Sequence, residues 1–210
     1  MKHTHILWDF NGTLLDDVQV SIDCANALLV RRGKPTIPSR EAYRSVFTFP
    51  LVNYYRKIGL CTDEADFPAP AEEWIREYLA RIPSAGVYDG VHETLQKIKD
   101  LGLKQSVFSA TEYKMLCGQI KSLSLERYFD EILGTGDVYA HGKTEIGTTW
   151  IRNHPDAHAI LFGDSDHDAK VAKTMGIDCV LIASGHQTKP FLQTCGVPVV
   201  DDISDVFQFL

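Results

Sequence analysis

Four short stretches of the chain carry side chains that could act on one substrate together. In Asp9-Phe10-Asn11-Gly12-Thr13, the apolar run Ile6-Leu7-Trp8 reaches a carboxylate and then a tight Gly-Thr turn. Ser109 closes Ser106-Val107-Phe108-Ser109. Lys143 opens a helical pattern further on, and Gly163-Asp164-Ser165-Asp166-His167-Asp168 directly follows Ala159-Ile160-Leu161-Phe162. Asp9 is the candidate nucleophile, because a carboxylate can form a covalent intermediate with an electrophilic centre. Asp9 and Asp164 come from separate loops, and two such carboxylates can hold a hard cation such as Mg²⁺. Lysine and hydroxyl donors suit the oxygens of a phosphoryl group.

These residues need a scaffold that brings four distant loops to one place. Each lies where an apolar strand pattern ends or a helix begins. From Val87 onward the chain alternates, with strands expected at 103–109, 131–133, 157–162 and 179–183 and helices between them. The last elements are a possible strand at 197–200 and a closing helix over 203–210. Such alternation implies an α/β fold with a doubly wound, Rossmann-like parallel sheet and right-handed crossovers. In such a sheet the carboxyl ends of the strands share one edge, where ligands bind.

Between the first strand and this alternation the pattern is wholly helical. Val18, Ile22, Ala25, Leu28 and Leu29 recur at helical spacing, and Gly33 and Pro35 stop that helix. Further helices are expected over 39–47 and 51–58, and a fourth carries Trp74, Tyr78, Leu79 and Ile82 after a loop containing Pro68 and Pro70. The expected organisation is an α/β core of residues 1–15 and 85–210, carrying the catalytic loops, with residues 16–84 inserted as a small helical cap.

Composition sets the outer bounds. The chain has 210 residues, 44% apolar and 23% charged, with a net charge of -7. An acidic chain has no global attraction for nucleic acid or anionic membrane. The five cysteines are scattered without a C-x-x-C pair, as expected of reduced thiols in a cytoplasmic protein. No apolar stretch is long enough to span a bilayer.

The four stretches resemble, in order, the four motifs of the haloacid dehalogenase-like hydrolases with a helical cap, the type that includes the phosphoglycolate phosphatases. Asp9 to Leu15 resembles D-x-D-G-T-L, and Gly163-Asp164-Ser165 through Asp168 resembles G-D-S-x-x-D. Gly86-Val87-Tyr88-Asp89-Gly90-Val91 resembles the return from cap to core. The resemblance implies a Mg²⁺-dependent phosphatase that hydrolyses a small phosphorylated metabolite through an aspartyl-phosphate on Asp9. It implies metal ligation by Asp9, the Asn11 carbonyl and Asp164, with Asp168 holding Lys143 or joining the metal site. Gly12, Thr13, Ser109, Ala110 and Lys143 would bind the phosphoryl oxygens. The implied partner is a small phosphorylated metabolite, with no nucleic acid and no membrane, and the protein would be a monomer or homodimer.

Asn11 departs from the motif, which has a second aspartate there to protonate the leaving alcohol and deprotonate water. An amide orients but does not exchange protons at neutral pH, and loss of a general acid–base group costs about 10²- to 10⁴-fold in rate. Asn11 therefore admits a slow phosphatase, an enzyme with another proton donor, or related chemistry. The last includes a phosphonoacetaldehyde hydrolase with Lys34 or Lys57 as Schiff-base lysine, and a phosphoglucomutase-like transfer. A phosphate-binding regulator is the non-enzymatic alternative. Ala110 is a smaller departure, since relatives often have Asn there. His141 is a candidate substitute acid–base; His167 is expected to be a solvent-facing spacer. Asp16 and Asp17 are expected to be first-turn helix charges. The aromatic stretch Tyr43, Phe47, Phe49, Tyr54 and Tyr55 is expected mainly to pack the cap core. Some of it, with Arg44 and Arg56, would select substrate.

Overall fold

The computed structural model describes residues 2–136 and 142–210. Six parallel strands form one sheet in the order β3-β2-β1-β4-β5-β6. They are β1 (His5–Trp8), β2 (Lys104–Glu112), β3 (Glu131–Thr135), β4 (Ala159–Gly163), β5 (Asp178–Ile182) and β6 (Val199–Val200). The chain starts in the middle of the sheet, builds outward on one side through β2 and β3, and then returns to build the other side from β4. β1 is thus the point where strand order reverses, the position at which such sheets open a crevice.

Register aligns the chemical loops. Trp8 pairs with Val107 on one side and with Phe162 on the other. Asp9, Ser109 and Asp164 therefore leave the same edge of the sheet within about a residue of one another. β1 is buried on both faces, as a central parallel strand requires. Ile6 and Trp8 join the apolar cluster on one face and Leu7 that on the other. Full burial of one such side chain contributes roughly 1.5–3 kcal/mol.

Helices α1 (Val18–Arg31), α2 (Arg40–Val46), α3 (Leu51–Lys57) and α4 (Pro68–Arg81) follow β1. They enclose their own apolar cluster of Val18, Ile22, Leu28, Leu29, Tyr43, Val52 and neighbours. α1 serves two cores, because Val20 and Cys24 pack instead with the sheet-side cluster. Pro68 and Pro70 form the first turn of α4 rather than a loop before it; proline fits there because the first helical N–H groups have no intrahelical acceptor. Leu15 and Val87 meet in an antiparallel bridge, so the chain leaves and re-enters the sheet layer at one place.

The remaining helices are α5 (Val91–Asp100), α6 (Tyr113–Ser122), α7 (Lys143–Asn153), α8 (Asp166–Met175) and α9 (Lys189–Leu192). The closing segment Ile203–Phe209 is a 3₁₀ helix. β2 and β3 run to residues 112 and 135, beyond the ends expected from sequence. All five cysteines are free thiols. No described helix is long and apolar enough to cross a membrane.

Candidate active site

The loop after β1 is a tight turn around the nucleophile. The N–H of Asp9 donates to the Phe162 carbonyl at 2.8 Å, which fixes the residue against β4. Gly12 has φ +77°, and a Cβ there would lie 2.3 Å from Asp164 Oδ2 and 2.5 Å from the His186 ring. Only glycine satisfies both the backbone and the space. Gly185 approaches equally closely from the loop after β5, where a Cβ would lie 2.0 Å from Asp164 Oδ2.

The turn engages Gly12 and Thr13 internally. They were expected to bind phosphoryl oxygens. In the structure the Gly12 N–H donates to the Leu15 carbonyl at 2.9 Å, and the Thr13 hydroxyl donates to Asp9 Oδ2 at 3.3 Å. Both residues shape and orient the nucleophile loop. Ser109 is buried, and its hydroxyl donates to that of Thr111 at 3.1 Å. Ala110 lines the cavity, and its carbonyl accepts from Thr135.

Lys143 begins α7 with its side chain sealed under the sheet edge, only 2% exposed. Its ammonium donates to Asp9 Oδ1 at 2.5 Å and Asp168 Oδ1 at 2.6 Å. Burial works against its charge, but the Asp168 and Asp9 carboxylates outweigh burial and hold its pKa above the ordinary lysine value. Asp168 has both oxygens engaged. Its Oδ2 accepts from the Ser165 hydroxyl at 2.6 Å and from the N–H groups of Ser165 and Asp164 at 3.1 and 3.2 Å. Burial would raise the Asp168 pKa, yet Lys143 and these hydrogen bonds keep it low.

Asp9 and Asp164 are less fully compensated. Burial pushes the Asp9 carboxyl up to about 6 despite Lys143. Burial likewise pushes Asp164 up to about 8, with the neighbouring carboxylates adding to the effect. Ligand oxygens of Asp9, Asp164 and Asp168 lie within 4.8 Å of one another. A set of buried, converging, undercharged carboxylates fits a hard divalent cation with oxygen preference.

Asn11 sits in a polar network that sequence reasoning missed. Its amide nitrogen donates to Asp17 Oδ2 at 2.9 Å and to the Tyr78 hydroxyl at 2.8 Å, while its oxygen accepts from Thr111 at 2.7 Å. Asp17 is not a solvated first-turn charge: it is buried and pairs with His186 Nε2 at 3.1 Å. Burial opposes the charge on His186, but Asp17 holds the imidazole pKa up at about 9. His186 Nδ1 lies 2.8 Å from the Tyr43 hydroxyl, and the His186 N–H donates to Asp164 Oδ2 at 2.6 Å. One signal pointed to this residue: Gly185-His186 follows the end of β5, a fifth loop on the same edge. Asp16, by contrast, pairs at the surface with Arg40.

A cavity of about 170 Å³ opens above Asp9 and Lys143. The segment joining α2 to α3 supplies Phe47 and Phe49 to its wall, α3 supplies Leu51 and Tyr54, and α4 supplies Trp74 and Ile75. The aromatic stretch thus faces the site as well as the helical core. His167 also lines the cavity, half-buried and stacked on Phe49 with ring centres 4.8 Å apart, so it is not a solvent-facing spacer. Arg44 contacts the site only through backbone, donating to the carbonyls of Gly185 and Ser184. Arg56 is spent on Thr62 and Asn53. Lys57 is exposed and Lys34 binds the Gly59 carbonyl, so neither is among the residues lining the cavity. His141 lies outside the described residues.

Comparison with known proteins is consistent with this geometry. Residues 6–182 match the family model described as haloacid dehalogenase-like hydrolase. A phosphoglycolate phosphatase of Pseudomonas savastanoi pv. phaseolicola is 24% identical over 211 residues, covering 94% of this chain and 76% of that protein. One from Caulobacter vibrioides is 25% identical over 202 residues, covering 93% and 85%. Among solved structures, a predicted phosphatase from Clostridium acetobutylicum superposes with a TM-score of 0.83 at 18% identity, over 98% of this chain and 97% of that one. A haloacid dehalogenase-like family hydrolase from Streptococcus pneumoniae gives a TM-score of 0.82 at 19% identity, over 99% and 98%.

Proposed function

The chain belongs to the haloacid dehalogenase-like hydrolase family, and we propose that it is a Mg²⁺-dependent phosphatase that hydrolyses a small phosphate ester through an aspartyl-phosphate. The observation that carries this reading is the buried Asp9–Lys143–Asp168 array beside Asp164. Resemblance to phosphoglycolate phosphatases supports the ester class. We read residues 1–15 and 85–210 as the catalytic core and 16–84 as the cap, consistent with their separate apolar clusters.

A carboxylate oxygen of Asp9 attacks phosphorus, the bond from phosphorus to the ester oxygen breaks, and the departing alkoxide takes its proton from water. Thr13 orients the attacking carboxylate. Lys143 neutralises charge on the transferring phosphoryl group, and Asp168 holds that lysine in place. Ser109 adds a hydroxyl from the neighbouring strand β2, at the same edge of the sheet. Water then attacks the phosphorus and gives its proton to solvent, the bond from phosphorus to the Asp9 oxygen breaks, and inorganic phosphate leaves with the Asp9 carboxylate restored. Asp9, Asp164 and the Asn11 carbonyl would hold Mg²⁺, with Asp168 serving the lysine because both its oxygens are engaged. When bound, the ion supplies charge stabilisation for the phosphoryl oxygens.

Asn11 sets the expected rate. Its three side-chain hydrogen bonds fix the amide but move no proton, so both steps lack the usual acid–base group and turnover is slow. The same observation favours the regulator as the second reading. A phosphonoacetaldehyde-type Schiff base finds no cap lysine among the described cavity residues. The test is phosphate release from benzyl phosphate with Mg²⁺ and with a chelator, on wild type and Asp9→Asn. Release that needs both the metal and Asp9 is expected; release that survives Asp9→Asn refutes the mechanism. No release together with retained phosphate binding selects the regulator.

A further inference from the structure

The cavity wall says what the organic half of the substrate must be. Phosphoglycolate carries a carboxylate beyond its phosphoryl group, and a second anion needs a cation to receive it. Among the described residues lining the cavity, the cationic candidates are Lys143, His186 and His167. Lys143 is already bound by two carboxylates, and His186 is paired with Asp17. His167 is half-buried with its ring stacked on Phe49. Arg44 and Arg56, the nearby guanidiniums, are committed to backbone carbonyls and to Asn53. Glu112 and Asp17 add negative charge to the same lining. Among the described residues no uncommitted cation is there to receive a carboxylate, and burying one without a partner is costly.

The helical wall has the opposite character. Phe47, Phe49, Tyr54 and Trp74 present rings, and Leu51 and Ile75 add aliphatic surface. The rings contact one another edge-on or tilted, as between Phe47 and Phe49 at 5.5 Å and 87° and between Phe47 and Tyr54 at 5.2 Å and 55°. Such walls receive a flat apolar group well. The volume of about 170 Å³, part of which the phosphoryl group must occupy above Asp9 and Lys143, leaves room for no more than one small ring, since benzene needs an apolar cavity of about 150 Å³. Tyr54 and His167 line the same cavity, and the Tyr54 hydroxyl and His167 Nε2 are buried without a hydrogen-bond partner. Either can pair with a polar substituent or a ring heteroatom.

We infer that the substrate is the phosphate monoester of an alcohol bearing one uncharged aromatic or heteroaromatic ring, which the described wall favours over the carboxylate of phosphoglycolate. This rests on the phosphatase reading above and names its substrate class. The test is calorimetric binding to the full chain in Mg²⁺ of two non-hydrolysable analogues that differ only beyond the phosphonate. They are 2-phenylethylphosphonate and 3-phosphonopropionate, with inorganic phosphate as reference.

The phenyl compound is expected to bind about tenfold or more tightly than the carboxylate compound. Phe49→Ala should shrink that ratio, and Ile75→Arg, which places a cation on the wall, should shift it towards the carboxylate. Equal affinities, or tighter binding of 3-phosphonopropionate to wild type, overturn the inference and leave a phosphatase of acidic substrates. Should the phenyl preference hold while benzyl phosphate is not hydrolysed, the phosphatase reading fails alone. Absence of binding by inorganic phosphate and both phosphonates overturns both.

Discussion

On the sheet side of the cavity, Lys143 is held by Asp9 and Asp168, Asp168 by Ser165, and Asp164 by the His186 N–H. On the helical side, rings meet rings, and the Tyr54 hydroxyl is buried without a partner. The sheet side is a charged lattice in which each group fixes the next, as the chemistry of a phosphoryl group demands. The helical side is adaptable surface that distinguishes one alcohol from another. Charge placement sets the reaction and ring placement sets the substrate, so the two sides should fail differently when altered.

The largest expected effect is on the charged side. Asp9→Asn should lower kcat on the order of 10⁴-fold or more with the fold intact by circular dichroism. Retained turnover would move the nucleophile elsewhere. Lys143→Met should cost both activity and stability, because it leaves two buried carboxylates facing each other. About 10²- to 10³-fold in kcat and roughly 3–5 kcal/mol in urea unfolding are expected. A variant as stable as wild type would show that the lysine is not the keystone of that lattice.

The two sides meet at Asn11, which touches Asp17 at the start of α1 and Tyr78 of α4. Asn11→Asp alone would bring a carboxylate to the 2.9 Å now spanned by the amide and Asp17, and like charges that close force a shared proton. A gain below about tenfold is expected from the single change. Asn11→Asp with Asp17→Asn should gain up to about 10²-fold. Additive kcat changes in that double-mutant cycle would deny the coupling.

A pH experiment separates lattice from wall. Asp9 and Asp164 have folded pKa values near 6 and 8, above the unfolded carboxylate value, and His186 has about 9, above the ordinary imidazole. At these three groups the metal-free folded protein holds more protons than the unfolded chain, so their contribution to stability falls as pH rises. For the carboxyls this spans about pH 4 to 8, and for His186 about 6.5 to 9. Mg²⁺ needs the deprotonated carboxylates, so it should raise the melting temperature more at pH 8 than at pH 6. The gain should be about 2–4 °C per kcal/mol of binding. An equal shift at both pH values would argue against the acidic cluster as the metal site. The smallest effect concerns the join. Arg44→Gln removes donors to Ser184 and Gly185 and should raise KM with little change in kcat.

This asymmetry also governs what the sequence could disclose. Asp9, Ser109, Lys143 and Asp164 were legible because each closes or follows a recognisable strand or helix, and parallel topology brings such ends together. The helical insertion was legible from its 3.6-residue periodicity, though the prolines that start α4 read as a loop. The cavity wall was not legible, because Phe47 and Tyr54 recur at spacings that equally describe a helical core. Asp17 and His186 were hidden for another reason. They are 169 residues apart, and only the folded β5 loop brings the imidazole onto a carboxylate that reads locally as a helix-start charge. Gly12 and Thr13 belonged to a recognisable motif, but their roles in shaping the turn are visible only from where their hydrogen bonds go.

The claim on which the rest depends is covalent phosphoryl transfer to Asp9. It is tested most directly by quenching the enzyme during turnover of benzyl phosphate, reducing any acyl phosphate with borohydride, and sequencing the peptides by mass spectrometry. The expected result is homoserine at position 9 and at no other aspartate. Phosphate release at the wild-type rate with aspartate unchanged at position 9, or with homoserine at Asp164 or Asp168 instead, would contradict it.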